Sequence, residues 1–404
     1  MLKFWSSGNE IVTSDKAMRA CLDAMPPRPP DAEVDLLLVH TTMGHKIRDL
    51  IEAAEGVDPR LRVIGCTGCG VIGSNGFVSE KMRALSVMGI FGDSSEIAVA
   101  YSDKLSFADS FSESLKVARA LKAENAGINM ILLFGASLDM AADLSLAAFE
   151  EVFGRQMPIF GWTATDNLKA VTSRQFADGK IFEHGLTAIG FADPSLKITS
   201  GVHHGNVCVG KPFVVTRAKG NRILALNGEP AWPFIMNRMK LPVETTFEEA
   251  LRVVCFAAML PEKVHSEYDN THILYVPVGT DRREQSFIMA VEIAEGTELY
   301  LSQRDEEKMF SGLDRMVAGL ADRLDDRSPE AIFHSDCAAR GRMSFNEINK
   351  QEIISRMQTP LCKGENVPWL GLYGYGELTS LGGRTQFHNQ TTSLYVLTRA
   401  ARQE

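Results

Sequence analysis

The last third of the chain confines it to a fold in which sheets deliver polar groups to a cleft. Three clusters follow one another there: Cys337-Ala338-Ala339-Arg340-Gly341, then Trp369-Leu370-Gly371-Leu372-Tyr373-Gly374-Tyr375-Gly376-Glu377, then Phe387-His388-Asn389-Gln390-Thr391-Thr392. They combine short apolar runs, glycines and one or two reactive or charged side chains. An apolar strand supplies rigidity, and glycine lets backbone or ligand approach closely.

At 404 residues the chain is too long for one ordinary core, so two or three domains are expected. With 45% hydrophobic and 23% charged residues it has the balance of a soluble globular protein. A net charge of −9 and the lack of any Lys/Arg block argue against a nucleic-acid footprint. The longest apolar runs, such as Ile131 to Phe134, fall far short of the roughly 20 residues a membrane span needs. No apolar stretch follows Lys3 near the start, so no secretory signal is read there. Seven cysteines, odd in number and thinly spread, are not a disulfide framework. A cytoplasmic location is expected, with no membrane partner.

Short buried strands alternate with helical segments in the first half. Strands are read at Val34 to His40, Arg62 to Cys66, Ala84 to Phe91 and Met130 to Phe134. Helices are read at Phe107 to Lys122, behind an N-cap at Ser106, and at Met140 to Phe153 before Gly154. Gly70 to Glu80 is too short and too rich in Gly, Ser and Asn to be a crossover helix, so the sheet must be mixed. Met25-Pro26-Pro27-Arg28-Pro29-Pro30 interrupts the chain before the first clear strand. A break in character falls at Asn206 to Pro233, where Asn227-Gly228 signals a turn after paired strands at Lys211 to Thr216 and Arg222 to Leu226. Beyond it, helices are expected at Phe247 to Met259, Glu306 to Leu324 and Asn346 to Met357. Strands are expected at Ile273 to Val278, Phe287 to Ile293, Ala331 to His334, Trp369 to Tyr375 and Thr391 to Leu397. The fold class is α/β with mixed sheets: two similar α/β halves packed around a shared cleft, although no residue-level repeat is visible.

Several motifs are weaker than they look. Gly68-Cys69-Gly70-Val71-Ile72-Gly73 has the letters of a dinucleotide fingerprint, but Ser74-Asn75-Gly76 breaks the helix it requires. Cys66 and Cys69 lack the further ligands of a zinc site, and the glycines around them disfavour a redox helix, so they read as small buried thiols. His203 and His204 are adjacent in a strand and point to opposite faces, one toward a cleft and one toward solvent. No catalytic triad, phosphate loop or metal-hydrolase motif is present.

The chain resembles the FIST family, a two-part sensory and signal-transduction module. The likeness rests on Ile64-Gly65-Cys66-Thr67-Gly68-Cys69-Gly70, on Gly210 to Thr216 followed by Asn221 to Ala231, and on the three clusters above, which span nearly the whole chain. It implies a lead over 1–30, a FIST N-terminal α/β domain over 31–220 and a FIST C-terminal α/β domain over 221–404. It implies a non-enzymatic sensor of a small ligand, an amino acid or a diatomic gas through haem, that signals to a partner histidine kinase or cyclic-di-GMP enzyme. The ligand-binding residues it implies are Cys337, Arg340, Gly376, Glu377, His388 and Asn389. Haem b, sensing nitric oxide, would be held by His388, with His204 ranked second and Trp369, Tyr373 and Tyr375 as the apolar wall. The residues leave alternatives open: Arg340 clamps a ligand anion or pairs with Glu377, Cys337 is a reactive or a buried thiol, and the whole is a sensor, a protein-binding scaffold or an enzyme using Cys337.

Overall fold

The computed structural model describes residues 1–30, 32–325 and 327–400. Its backbone is one pattern written three times: edge strand, helix, strand, helix, parallel strand, hairpin, returning strand. The first copy holds β1 (Lys3–Asn9), α1 (Ser14–Leu22), β2 (Val34–Thr41), α2 (Ile47–Glu55), β3 (Arg62–Thr67), the hairpin β4 (Gly70–Gly73) and β5 (Val78–Ser79), and β6 (Leu85–Gly92). In the second are β7 (Ile97–Ser102), α3 (Ser110–Glu124), β8 (Met130–Ala136), α4 (Ala142–Phe153), β9 (Ile159–Ala164), β10 (Gln175–Ala177), β11 (Lys180–Phe182) and β12 (Leu186–Phe191). The third opens with β13 (Leu196–His203) and is then interrupted by an insertion. That insertion contains β14 (Asn206–Lys219), β15 (Arg222–Leu226), β16 (Glu229–Pro230), α5 (Ala231–Arg238), α6 (Phe247–Leu251), β17 (Phe256–Met259), α7 (His265–Tyr268), β18 (His272–Tyr275), β19 (Gly279–Asp281), β20 (Ser286–Ile288) and β21 (Glu298–Arg304). The third copy resumes with α8 (Glu306–Leu324), β22 (Ala331–Cys337), α9 (Glu347–Cys362), β23 (Trp369–Gly374), β24 (Glu377–Leu381), β25 (Arg384–His388) and β26 (Thr392–Arg399).

Each copy lends its hairpin to a neighbour, in a ring. The sheet orders are β1-β6-β2-β3-β10-β11, β7-β12-β8-β9-β24-β25 and β13-β26-β22-β23-β4-β5. Thus β4 of the first copy pairs with β23 of the third, β10 of the second with β3 of the first, and β24 of the third with β9 of the second. One hydrogen bond recurs where each central strand ends: Thr42 N–H to Ala84 O at 3.1 Å, Ala136 N–H to Gly185 O at 2.8 Å, Cys337 N–H to Thr391 O at 2.9 Å. Mixed sheets in an α/β chain, with strands of the two halves meeting, are therefore found as expected. The glycine clusters Gly68 to Gly73 and Gly371 to Glu377 lie side by side because β4 and β23 are paired.

The central strands are covered on both faces, which is why they read as continuous apolar runs. Along β2, Leu36 and Leu38 enter a core shared by all three sheets, with Ile64, Leu132, Phe160, Phe333, Leu370 and Tyr395. The alternate residues Leu37 and Val39 face outward onto α1 and α2. The pairs α3/α4 and α8/α9 cover the other two sheets in the same way, through Val117, Leu121 and Phe149 and through Leu313, Ile353 and Met357. The insertion folds as an eight-stranded antiparallel sheet and shares a core with α3 and α4.

Three local readings change. Residues 1–30 contribute β1 and α1 to the first sheet instead of standing apart as a lead. The helix expected over Phe247 to Met259 stops at Leu251, and Phe256–Met259 is a strand, because Val253, Val254 and Phe256 favour extended backbone. Helix α3 begins at Ser110, one turn after Ser106, whose hydroxyl instead accepts the Asp109 N–H at 3.2 Å.

Candidate ligand site at the strand ends

Where β22, β24 and β25 end beneath the insertion, polar side chains collect out of reach of solvent. Glu377 starts β24 opposite His388 of β25 and Trp162 of β9. It is 0% exposed. Its Oε2 accepts the Thr391 hydroxyl at 2.7 Å and the Thr391 N–H at 3.3 Å, and its Oε1 has no partner. Burial, reinforced by nearby Asp336, holds the Glu377 carboxyl well above the usual carboxylate range.

Arg340 follows β22 in a single tight turn and is buried with Asp336. Its Nε donates to Asp336 Oδ1 at 2.8 Å and an Nη to the His204 carbonyl at 3.2 Å. The internal partner of Arg340 is thus Asp336, one strand-end away, and not Glu377. Cys337 lies between them, and burial and the Glu377 carboxyl push its thiol well up, which disfavours the thiolate a nucleophile needs. Gly376 accepts the Thr163 N–H at 2.9 Å through its carbonyl, and a side chain there would meet the Phe387 ring. Asn389 is structural: its Oδ1 accepts the Val276 N–H at 2.9 Å and its Nδ2 donates to the Tyr375 carbonyl at 2.8 Å, tying the insertion to the β23–β24 turn.

The insertion supplies what the sequence did not suggest. Tyr268, at the end of the four-residue helix α7, is 1% exposed and its hydroxyl has no partner. Its ring stands edge-on to His388 at 5.7 Å and to His204 at 5.3 Å. Both nitrogens of His388 are unpartnered; the Thr379 backbone is near but outside good hydrogen-bond geometry. His204 is fully engaged, accepting the Asn206 N–H at Nδ1 (2.9 Å) and facing the His272 carbonyl through Nε2 (3.1 Å). His203 and His204 do point to opposite sides, but neither reaches solvent: His203 packs over Gly312 of α8. Of the six expected residues, Cys337, Arg340, Glu377 and His388 surround one spot, while Gly376 and Asn389 hold its frame. Asp336 precedes the first sequence cluster directly and could have been found; Tyr268 carried no signal.

These residues do not fit haem. His388 is 0% exposed with the Tyr268 ring against it, leaving no open face for a porphyrin. The aromatic wall expected beside it is elsewhere: Trp369 and Tyr373 pack with Ile353 and Met357 under α8 and α9, and the Tyr375 hydroxyl donates to Asp166 Oδ1 at 3.0 Å. Among the described residues no group of three or more His, Cys, Asp or Glu is placed to hold a metal ion.

The buried histidines set an acid limit on the fold. Burial pushes His203, His272 and His388 down from 6.5 to about 4, and His40 to about 3. A depressed value means that the unfolded chain takes up protons first, so this stability is complete above pH 6.5 and is lost as pH falls toward 4. Glu377 and Glu80, raised instead, work in the opposite direction, but they are two groups against four histidines. Each histidine contributes a slope of up to about 1.4 kcal/mol per pH unit. Far-UV circular dichroism is expected to show unfolding between pH 6 and 4; a signal flat to pH 4 would contradict the assignment.

The fold is that of a mixed α/β protein, with a buried polar cluster where the strands of its two matched segments meet. The chain belongs to the FIST family: residues 35–229 match the FIST N domain and residues 227–380 the FIST C domain. Uncharacterized proteins of Mycobacterium bovis and Mycobacterium tuberculosis are each 22% identical over 240 residues, which is 58% of this chain and 59% of theirs. That match spans less than two thirds of the relatives' length. Among solved structures, cyanuric acid hydrolase from A. caulinodans aligns over 100% of both chains with 9% identity and a TM-score of 0.39. PurLQS from Thermotoga maritima aligns over 99% of this chain and 72% of its own, with 12% identity and a TM-score of 0.22. Likeness at that level carries no argument about function. Among the described residues no helix is long and apolar enough to cross a membrane.

Proposed function

We propose that this protein senses a small polar molecule of the amino-acid kind in the cluster around Glu377, and relays its presence to a partner protein. The observation that carries the reading is the convergence of unpartnered, fully buried polar atoms: Glu377 Oε1, Tyr268 Oη and both nitrogens of His388. Buried polar groups are ordinarily hydrogen-bonded, and each one left without a partner costs about 1–3 kcal/mol. A ligand with an amine and a carboxylate would recover that energy, its amine set against the Glu377 carboxyl on one side and its carboxylate in the field of Arg340 on the other. The spot is covered by the insertion, pinned by Asn389 to Val276 and by Asn206 to Gln390 at 2.8 Å. Entry therefore displaces Tyr268 and its helix, and that movement is the signal a partner such as a histidine kinase or cyclic-di-GMP enzyme would read.

The test is a thermal-shift and calorimetric titration of the full chain with the twenty amino acids. At least one is expected to bind saturably. Tyr268→Phe removes an unpartnered hydroxyl, so it should raise the melting temperature without ligand while weakening binding at least about fivefold, the equivalent of ~1 kcal/mol. Glu377→Gln should weaken binding as well. No binding by any amino acid, or unchanged affinity in both variants, would overturn the reading.

A further inference from the structure

The threefold pattern creates a second polar region, inside the core shared by the three sheets. One level down, that core is wholly apolar across its strands: Leu38 beside Ile64, Leu132 beside Phe160, Phe333 beside Leu370. Two residues further along, toward the strand ends, polar side chains stand among the apolar Cys66, Phe134, Trp162 and Leu372. In the first sheet Gln175 and His40 flank Cys66. Glu377 and Phe134 flank Trp162 in the second, with Thr187 beyond Phe134. Ser335 stands beside Leu372 in the third. All of these side chains are 0% exposed. Strand-end hydrogen bonds close the level from above, among them Thr165 N–H to Thr67 O at 3.0 Å and Cys69 N–H to Tyr373 O at 2.9 Å.

Partners are missing in this level in a specific way. His40 Nδ1 faces the Gly371 carbonyl at 3.0 Å, which places the ring proton there and leaves Nε2 as an unpartnered acceptor. Gln175 donates through Nε2 to the Gly185 carbonyl at 2.8 Å, leaving Oε1 as a second unpartnered acceptor. The hydroxyls of Thr187 and Ser335 are unpartnered and can turn either way. Both groups are 0% exposed, and burial disfavours charge on each: it pushes His40 down to about 3 and holds Glu377 well above the usual carboxylate range. A permanently charged occupant would be left uncompensated there.

We propose that this level is a second binding site, for a small uncharged molecule rich in N–H donors, of the carboxamide or urea type. His40 and Gln175 accept its N–H groups, Thr187 and Ser335 complete its hydrogen bonds, and the edge of Trp162, 4.7 Å from the His40 ring, bounds it. A ligand of a few heavy atoms limits affinity to about millimolar. Glu377 borders both this level and the ligand site above, so the test uses residues of the level alone.

The experiment is saturation-transfer NMR on the full chain with N-methylurea and acetamide, with acetate and methylammonium as charged counterparts of similar size. The Trp162 indole N–H resonance, assigned through Trp162→Phe, is followed in the same titrations. Expected is transfer from the neutral pair and a shift of that resonance, both abolished in Gln175→Leu and in Ser335→Ala and both retained in Tyr268→Phe. Two variants are used because either alone can disturb folding, which circular dichroism checks. Failure of amino acids to bind, with N-methylurea still bound, would sink the first site and leave this one standing. No transfer and no indole shift at about 100 mM, well above a millimolar dissociation constant, would mean that the level holds water only. Equal binding of the charged pair would also overturn the proposal.

Discussion

Gly161→Ala is expected to leave no stably folded protein. Gly161 is paired in register with Leu133 on the neighbouring parallel strand, and its φ is +149°. A Cβ added there would overlap the Leu133 carbonyl oxygen, a backbone atom that cannot turn aside. Gly65 stands in the same register opposite Val39 and meets the Val39 carbonyl in the same way. Gly371 opposite His334 is the third member, with the carbonyl oxygen 2.6 Å from the would-be Cβ. All three lie at the middle of the parallel pair in their own sheet, where the backbones of two strands and a borrowed hairpin converge. Moving one strand to make room shifts the core shared by all three sheets, so the loss should exceed about 4–5 kcal/mol, the exceptional end of single substitutions. Gly65→Ala should behave alike and Gly371→Ala less severely. Gly319→Ala in α8 is the control, with nothing within 4 Å of the added methyl, and should stabilise by about 1 kcal/mol. Soluble yield and thermal melts decide: a Gly161→Ala protein melting within a few degrees of the parent would show that the strands have slack the structure does not suggest.

The same glycines explain how far the fold could be read from the chain. Local elements were legible where one physical signal dominated. The helix over Glu306–Leu324 has an apolar stripe and an Asp305 cap whose side chain accepts the Lys308 N–H at 3.0 Å, and its bounds are those the sequence implies. The buried strands announced themselves as apolar runs. The threefold repeat did not, because what the copies share is backbone geometry and not side chains. Equivalent positions next to the three glycines are Cys66, Trp162 and Leu372, which differ in size and chemistry yet face one core. The insertion over 206–304 then stretches the third copy to twice the length of the others. Borrowed hairpins hide the repeat further, since each sheet is completed by a distant piece of chain. In the site, Arg340, Glu377 and His388 were legible because glycines and strands framed them. Tyr268 was not: it sits in a four-residue helix after a 3-residue turn at Glu262–Val264, and only the tertiary fold brings it over His388.

The ion pair of Arg340 with Asp336 yields the other large effect. Both side chains are 1% exposed, and the pair spans only 2.8 Å. Taking two charges out of water is expensive, and the pair is tolerated because each satisfies the other while the guanidinium also holds the His204 carbonyl. Arg340→Ala strands the Asp336 carboxylate in the core beside Glu377, which already resists ionising, and unties the start of the insertion. The expected loss is about 3–5 kcal/mol, or a fall in melting temperature on the order of 10 °C for a chain of this size. Asp336→Asn should cost less, because an amide still accepts from Arg340 and leaves no unpaired negative charge, although the guanidinium then stays buried without its counter-ion. Replacing both partners with apolar residues of similar volume, Arg340→Met with Asp336→Leu, should recover most of the loss, since it removes both desolvation penalties together. Chemical denaturation of these proteins, together with Arg340→Met and Asp336→Leu alone to close the double-mutant cycle, gives the coupling. A double variant as unstable as Arg340→Ala alone would show that the guanidinium contributes through the His204 carbonyl and its packing instead of through the charge pair.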